Sequence, residues 1–316
     1  FTVTDVFDLG GFGEVGLHPG TSPALPPPEL TEPGAPAQAV RAENLLRTIV
    51  LDDGVSTNPF NARLEPPYLG DGPVRVGDQV SAFEPLVMSF GFGAYRLQPV
   101  RPVTADTVVA DRTQFAATNP RTAAPSVSGE LELGAFNVLN YFTTLRADLG
   151  CSPTDNNCPA RGAFDVQESK IVAAINALGA AVVTLEEIEN SAKFGEPADE
   201  AVATLVAALN EEAGIGTWDY IRSPGNLPDV SLQDFIRNAI IYKPAAVVPQ
   251  GASTALGDQS EPGEAFAEAR EPIAQAFVPV GGGRPFTVVG NHFKSKGSAA
   301  GLPGDGLRVE IDCIAY

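Results

Sequence analysis

The sequence predicts an α+β protein in two parts: a small β-rich domain over 1–122, a linker over 123–130, and a second domain over 131–316 in which strands and helices alternate. Three observations predict it. Short β-type runs in the first part are separated at close intervals by Gly, Pro and other turn formers. The stretch AATNPRTAAPSVSGE at 116–130 is built largely of small residues and Pro, as linkers are. Beyond it, strand-length apolar runs alternate with segments of helical period.

In the first part, RTIVLDD (47–53), VRVGDQVSAF (74–83) and FGAYRLQPV (92–100) read as strands of a small antiparallel sheet or barrel. No segment of helical period stands out, and the Pro-rich stretch ALPPPELTEPGAPAQA (24–39) reads as an exposed loop. Phe90, Phe92 and Tyr95 are assigned to core packing rather than to a stacking surface. His18, in GLHPG, reads as a turn residue.

In the second part, LELGAFNVL (131–139) is a buried strand and DVQESKIVAAINALG (165–179) a helix. Asp165 and Glu168 suit a capping box, and Gly179 is placed to stop the helix. AAVVTLEEIEN (180–190) is the next strand, which makes a βαβ unit with parallel strands. PADEAVATLVAALNEEAG (197–214) is a second helix, and TWDYIRS, IRNAIIYKP and RPFTVVGNHF (217–223, 236–244, 284–293) complete a mixed sheet.

The chain has 316 residues, 39 acidic against 20 basic, for a net charge of −19. That balance argues against a simple nucleic-acid binder with a basic face, but not against an enzyme that meets phosphate through a bound cation. No apolar run reaches the roughly 18 residues of a membrane span. The chain opens with Phe1, so a missing export signal carries no information on compartment. Of three cysteines, Cys151 and Cys158 lie in the polar loop CSPTDNNC and suit a short disulfide in an oxidising compartment, leaving Cys313 over. A metal site there lacks further Cys or His partners.

Three polar residues sit at strand ends: Asn137 in AFNVLNYF, Glu187 in VVTLEEIEN and His292 in VVGNHFKSKG. Polar groups leaving neighbouring strand ends converge at one rim of an α/β sheet. A carboxylate and an amide can hold a hard cation such as Mg²⁺, and an imidazole can donate to a phosphate oxygen. Two of only five lysines, Lys294 and Lys296, follow the histidine at once.

In this order, FNVLNYF, LEEIEN, RNAIIYKPAAV and NHFKSKG resemble the secreted nucleases of the ExeM/NucH type, in the endonuclease/exonuclease/phosphatase superfamily with its DNase I-like fold. DVFDLGGFGEV, IVLDDG and VGDQVSAF look like the β-rich, OB-like region that precedes the nuclease domain there. The resemblance implies divalent-metal-dependent cleavage of extracellular nucleic acid, DNA first and RNA second, by a secreted or surface-attached monomer. The metal would be Mg²⁺, with Mn²⁺ or Ca²⁺ as substitutes. Asn137 and Glu187 would be metal ligands, and His292 would contact the scissile phosphate. Lys294, Lys296, Arg237 and Asn140 would meet substrate phosphates, although Arg237 reads equally as a surface residue on a strand.

One departure matters. The superfamily's Gly-Asp-x-Asn and terminal Ser-Asp-His motifs have no counterpart: no Gly-Asp here has Asn two residues later, and no His follows His292. Residues 131–316 are therefore expected to be the N-terminal part of a DNase I-like sandwich, with the second sheet largely missing and activity weak or absent. The alternatives are a phosphatase or phospholipid-cleaving member of the same superfamily, and a secreted, non-catalytic binding module.

Overall fold

The computed structural model describes residues 1–69, 72–120, 127–145, 164–256 and 270–292. The protein is α+β and forms two compact units divided at residues 122/123. Lys294, Lys296, Cys151 and Cys158 lie outside the described residues.

The first unit contains strands β1 (Thr2–Asp5), β2 (Val15–His18), β3 (Ile49–Leu51), β4 (Gln79–Ala82), β5 (Leu86–Gly91), β6 (Ala94–Pro99) and β7 (Gln114–Ala116). They form one sheet in the order β5-β6-β3-β2-β1-β4-β7, antiparallel except for the β3–β6 pair. Val3, Val15, Leu17 and Leu51 are fully buried and form its core with Tyr68 and Val103. Short helices α1 (Leu9–Phe12) and α2 (Pro27–Leu30), the longer α3 (Ala35–Arg47), and α4 (Pro59–Ala62) fill the connections.

Helix α3 corrects the expectation of a loop over 24–39. Pro36 sits in the first turn, where no N–H is required. The residues after it are largely good helix formers. The helix escapes a periodicity reading because it buries only Ala37, while Leu45 and Leu46 stay 72% and 87% exposed.

A second correction concerns Phe90, Phe92 and Tyr95, which do not enter the core: they are 66%, 97% and 59% exposed. They belong to the β5–β6 hairpin. Only Arg96 and Leu97 of β6 pair with β3, so the rest of the hairpin has no third strand beside it. Its base is anchored by Arg96, 6% exposed, whose Nη1 donates to Glu14 Oε1 at 2.6 Å and Asp52 Oδ2 at 2.8 Å.

Asp53 is a buried carboxylate with no ion pair among the described residues. Its Oδ1 accepts from the Val55 N–H at 2.8 Å, and its Oδ2 occupies the space beside Gly13, where a Cβ would lie 2.1 Å away. Burial, with Asp52 and Glu14 nearby, pushes its pKa up to about 6. A raised carboxyl pKa means that the fold favours the protonated form. The stabilisation is therefore complete below about 3.8 and lost as pH rises through about 6.

In the second unit, strand β8 (Leu133–Tyr141) runs parallel to β9 (Val182–Glu189) through helix α5 (Phe164–Leu178), as the βαβ reading requires. Helix α6 (Glu200–Ala213) follows, then β10 (Asp219–Tyr220) and β11 (Ile236–Tyr242), in a four-stranded sheet ordered β10-β11-β9-β8. One face of this sheet packs on the two helices: Val183, Leu185, Ile188 and Ile241 meet Ile175, Leu205, Leu209 and Trp218. The other face, through Val182, Ile240 and Tyr242, packs on Val247, Ile273, Phe277 and Val288.

Those last four residues belong to a separate antiparallel sheet of β12 (Val247–Ala255), β13 (Ile273–Pro279) and β14 (Phe286–Gly290). One expectation changes: the strand in RPFTVVGNHF does not join the others in one mixed sheet but stands in this three-stranded sheet. Breaks in the alternation hid β12 and β13. Pro249 and Gly251 interrupt the first, which is an edge strand with an irregular register. The second turns Gln275 inward, 2% exposed, with its Nε2 donating to Gln250 O and Ala276 O.

The capping box is also absent. Helix α5 already includes Phe164, so Asp165 lies inside the first turn, and Glu168 accepts the Tyr141 hydroxyl at 2.5 Å instead.

The substitution Asp53→Asn is expected to stabilise the first unit at pH 7 by about 2 kcal/mol and to flatten its loss of stability between pH 4 and 6. Hydrogen-exchange protection of the β1–β3 amides across that range measures it; an unchanged pH profile would refute the assignment.

Candidate functional site

The site is built where the regular ladder of the four-stranded sheet breaks on three adjacent strands. On β9, Leu185 pairs with Ala239 and Ile188 with Arg237, so Glu186 and Glu187 together oppose the single residue Asn238. This is a β-bulge. It explains how Leu185 and Ile188, three positions apart, both point into the helix-side core. The extra residue is absorbed by Glu187, which takes a left-handed backbone at φ 62°. A bulky non-glycine residue is strained there.

Strand β8 is irregular at the same level. Asn137 pairs with Glu186 and Tyr141 with Ile188, so three residues of β8 span one of β9. Asn137 Oδ1 accepts from the Leu139 N–H at 2.8 Å, a side-chain turn that starts the excursion. Leu139 and Asn140 then follow at φ 55° and 54°. Gln167 of α5 donates from Nε2 to the carbonyls of Val138 (2.9 Å) and Leu139 (2.6 Å), which fixes the bulged loop to the helix.

His292 arrives from the other sheet. β14 crosses close to β9 at Gly290, where an added Cβ would lie 3.3 Å from Thr184 Cβ and Cγ2. The glycine permits this approach. Two residues later the His292 Nε2 stands 3.6 Å from Glu187 Oε1, with side chains 14% and 20% exposed. That separation is within ion-pair range when the imidazole is protonated, and too long for a hydrogen bond. Glu187 and His292 are thus brought within 3.6 Å of each other across the two sheets, while Asn137 stands on the neighbouring strand opposite Glu186.

Arg237 is different. It is 6% exposed, its Nη2 lies 3.0 Å from Asp199 Oδ1, and its Nη1 donates to Ser223 Oγ at 2.7 Å. The guanidinium is committed to the start of α6, not presented to a phosphate. Burial lowers its pKa, and Asp199 opposes that shift. The expected phosphate contact is therefore corrected to a structural ion pair. Asn140 stays at the rim, half-buried in the bulge.

The sequence reading missed three supporting residues. Glu189, 1% exposed, accepts from Thr143 Oγ1, Thr144 N, Thr144 Oγ1 and Ser191 Oγ at 2.7–3.1 Å, tying the segment after β8 to the end of β9. Asn238, fully buried opposite the Glu187 bulge, donates from Nδ2 to Glu271 O at 2.9 Å. Glu271 is itself buried, and burial raises its carboxyl pKa. A third glutamate in LEEIEN and an asparagine beside the apolar run AIIY were the available signals.

The donors at this rim are hard oxygens. Thr184 Oγ1 and Asn238 Oδ1 are buried with no hydrogen-bond partner among the described residues. Also among the described residues, no three His, Cys, Asp or Glu side chains gather to hold a metal ion. This set fits a cation that takes one carboxylate and amide oxygens and keeps much of its water, as Mg²⁺ does. It does not fit a closed zinc-type centre. Comparison of the chain with protein-family models and with characterised proteins returns no match.

Replacing Glu187 by Gly is expected to leave the fold intact and raise its stability by about 0.5–1 kcal/mol, since the left-handed backbone costs a glycine little. Denaturant unfolding followed through Trp218 fluorescence reads this. A marked loss of stability would mean that the side chain, not the bulge, holds the backbone.

Proposed function

We propose that the second unit is a divalent-metal-dependent phosphodiesterase of the DNase I-like kind, acting on extracellular nucleic acid with DNA as its first substrate, and that the first unit is its OB-like accessory domain. The observation that carries this reading is the meeting of His292 with Glu187 across two sheets, at a rim lined by oxygen donors. It is supported by the order of the motifs around Asn137, Glu187 and His292.

Glu187 and Asn137 would hold Mg²⁺, for which Mn²⁺ or Ca²⁺ could substitute. When bound, such a cation supplies Lewis-acid polarisation of a phosphoryl oxygen and offsets the charge that grows in the transition state. Glu187 contributes the full negative charge of the set. Asn137 contributes an amide oxygen that already accepts one backbone hydrogen bond, which holds its orientation. His292 is the group able to donate a proton or hydrogen bond to a phosphate or leaving-group oxygen. Neither Arg237, bound to Asp199, nor a second histidine adds to this set among the described residues. With His292 assigned to the phosphate and no further histidine in this set to activate water, turnover by this chain is proposed to be slow.

Nicking of supercoiled plasmid with Mg²⁺ tests the proposal. Slow cleavage is expected, lost with a chelator and reduced by about two orders of magnitude or more in Glu187→Gln and in His292→Ala. Calorimetric titration with Mn²⁺ gives a second readout, with binding expected in the parent chain and lost in Glu187→Gln. Cleavage that survives Glu187→Gln, or metal binding that ignores it, would overturn the reading.

A further inference from the structure

We infer that the β5–β6 hairpin of the first unit is a self-association surface, through which a second copy of this chain adds its own β5 to the free edge of the seven-stranded sheet. β5 is the terminal strand of that sheet. It pairs with β6 without a register shift, from Leu86 opposite Pro99 to Gly91 opposite Ala94. The turn is Phe92-Gly93, both at positive φ (52° and 79°), a two-residue turn whose twist suits a regular hairpin. In such a hairpin the residue pair that closes the turn exchanges hydrogen bonds, and the next pair turns its N–H and C=O outward. Met88 and Phe90 therefore offer backbone donors and acceptors to the open edge.

Monomeric proteins guard an edge of this kind with a charge, a proline, a bulge or very short length. β5 has none of these protections: it is six residues long, regular, and without Pro, and no charged residue occurs from Leu86 to Tyr95. The side chains add an apolar surface. Val87, Met88, Phe90, Phe92 and Tyr95 are 58%, 65%, 66%, 97% and 59% exposed, and the Phe90 and Tyr95 rings pack edge to face at 5.2 Å. Met88, Phe90 and Tyr95 share one face of the hairpin and Val87 lies on the other, so pairing of two β5 edges would lay apolar side chains side by side on both faces.

Electrostatics choose the occupant. Each copy carries a net charge of −19, so copies repel except where uncharged surface meets uncharged surface. The hairpin is such a surface. A nucleic acid would need cations here, and the hairpin's one guanidinium, Arg96, is buried and bonded to Glu14 and Asp52. The two occupants also respond oppositely to salt: screening strengthens an apolar contact between like-charged copies and weakens a phosphate contact.

Sedimentation velocity of the 316-residue chain over a wide concentration range, at low and high NaCl, tests this. A concentration-dependent dimer is expected, more populated at high salt. Phe90→Lys and Met88→Lys should each weaken it at least tenfold, while Leu46→Lys, at another exposed apolar position of the same unit, should not. Hydrogen exchange of the wild-type chain needs no variant to fold: the Met88 and Phe90 amides should gain protection on concentration. A monomer under all conditions, a dimer indifferent to both β5 substitutions, or protection produced by single-stranded DNA and not by concentration would overturn the inference.

Discussion

The second unit depends on one backbone constraint, the extra residue in β9. Two apolar residues, Leu185 and Ile188, must both reach the helix-side core, and their odd spacing forbids this in a regular strand. The bulge resolves the conflict by pushing Glu187 into a left-handed conformation. The same step puts a carboxylate at the sheet rim opposite buried Asn238, and leaves β8 to adjust with its own excursion at Leu139 and Asn140. Core packing is strong enough to hold the distortion: the residues on either side of it are fully buried.

The rest of the site is arranged around that point by close approach rather than by charge pairing. Gly290 lets β14 lie against Thr184, and this contact between sheets sets how far His292 stands from Glu187. Strong charge pairing is used elsewhere, in buried pairs such as Arg237–Asp199 and the Arg96 cluster. Those pairs are satisfied within the protein and so have little left for a ligand. The Glu187–His292 pair, by contrast, is partly open.

How much of this was legible in the sequence varied with the physics of each element. Strands β8, β9 and β11 and helices α5 and α6 were readable because each has an apolar face against a core, and burial writes a period into sequence. Helix α3 was not, because a helix that buries one alanine leaves no period. β12 and β13 were not, because a proline and an inward glutamine break the alternation. Asn137, Glu187 and His292 could be picked out as polar residues at strand ends, but the approach of His292 to Glu187 rests on a bulge and a glycine contact that no local pattern announces. Arg237 shows the opposite failure: an arginine beside a strand invites a phosphate, and only the fold reveals that Asp199 holds it.

The Glu189 clamp gives this geometry a mechanical side. One carboxylate holds two threonines of the segment after β8 and a serine beyond β9, and it lies two residues from Glu187. The positions of residues 143–144 and of Ser191 are thus tied to one buried carboxylate next to the bulge, so the segment after β8 and the end of β9 share a single anchor.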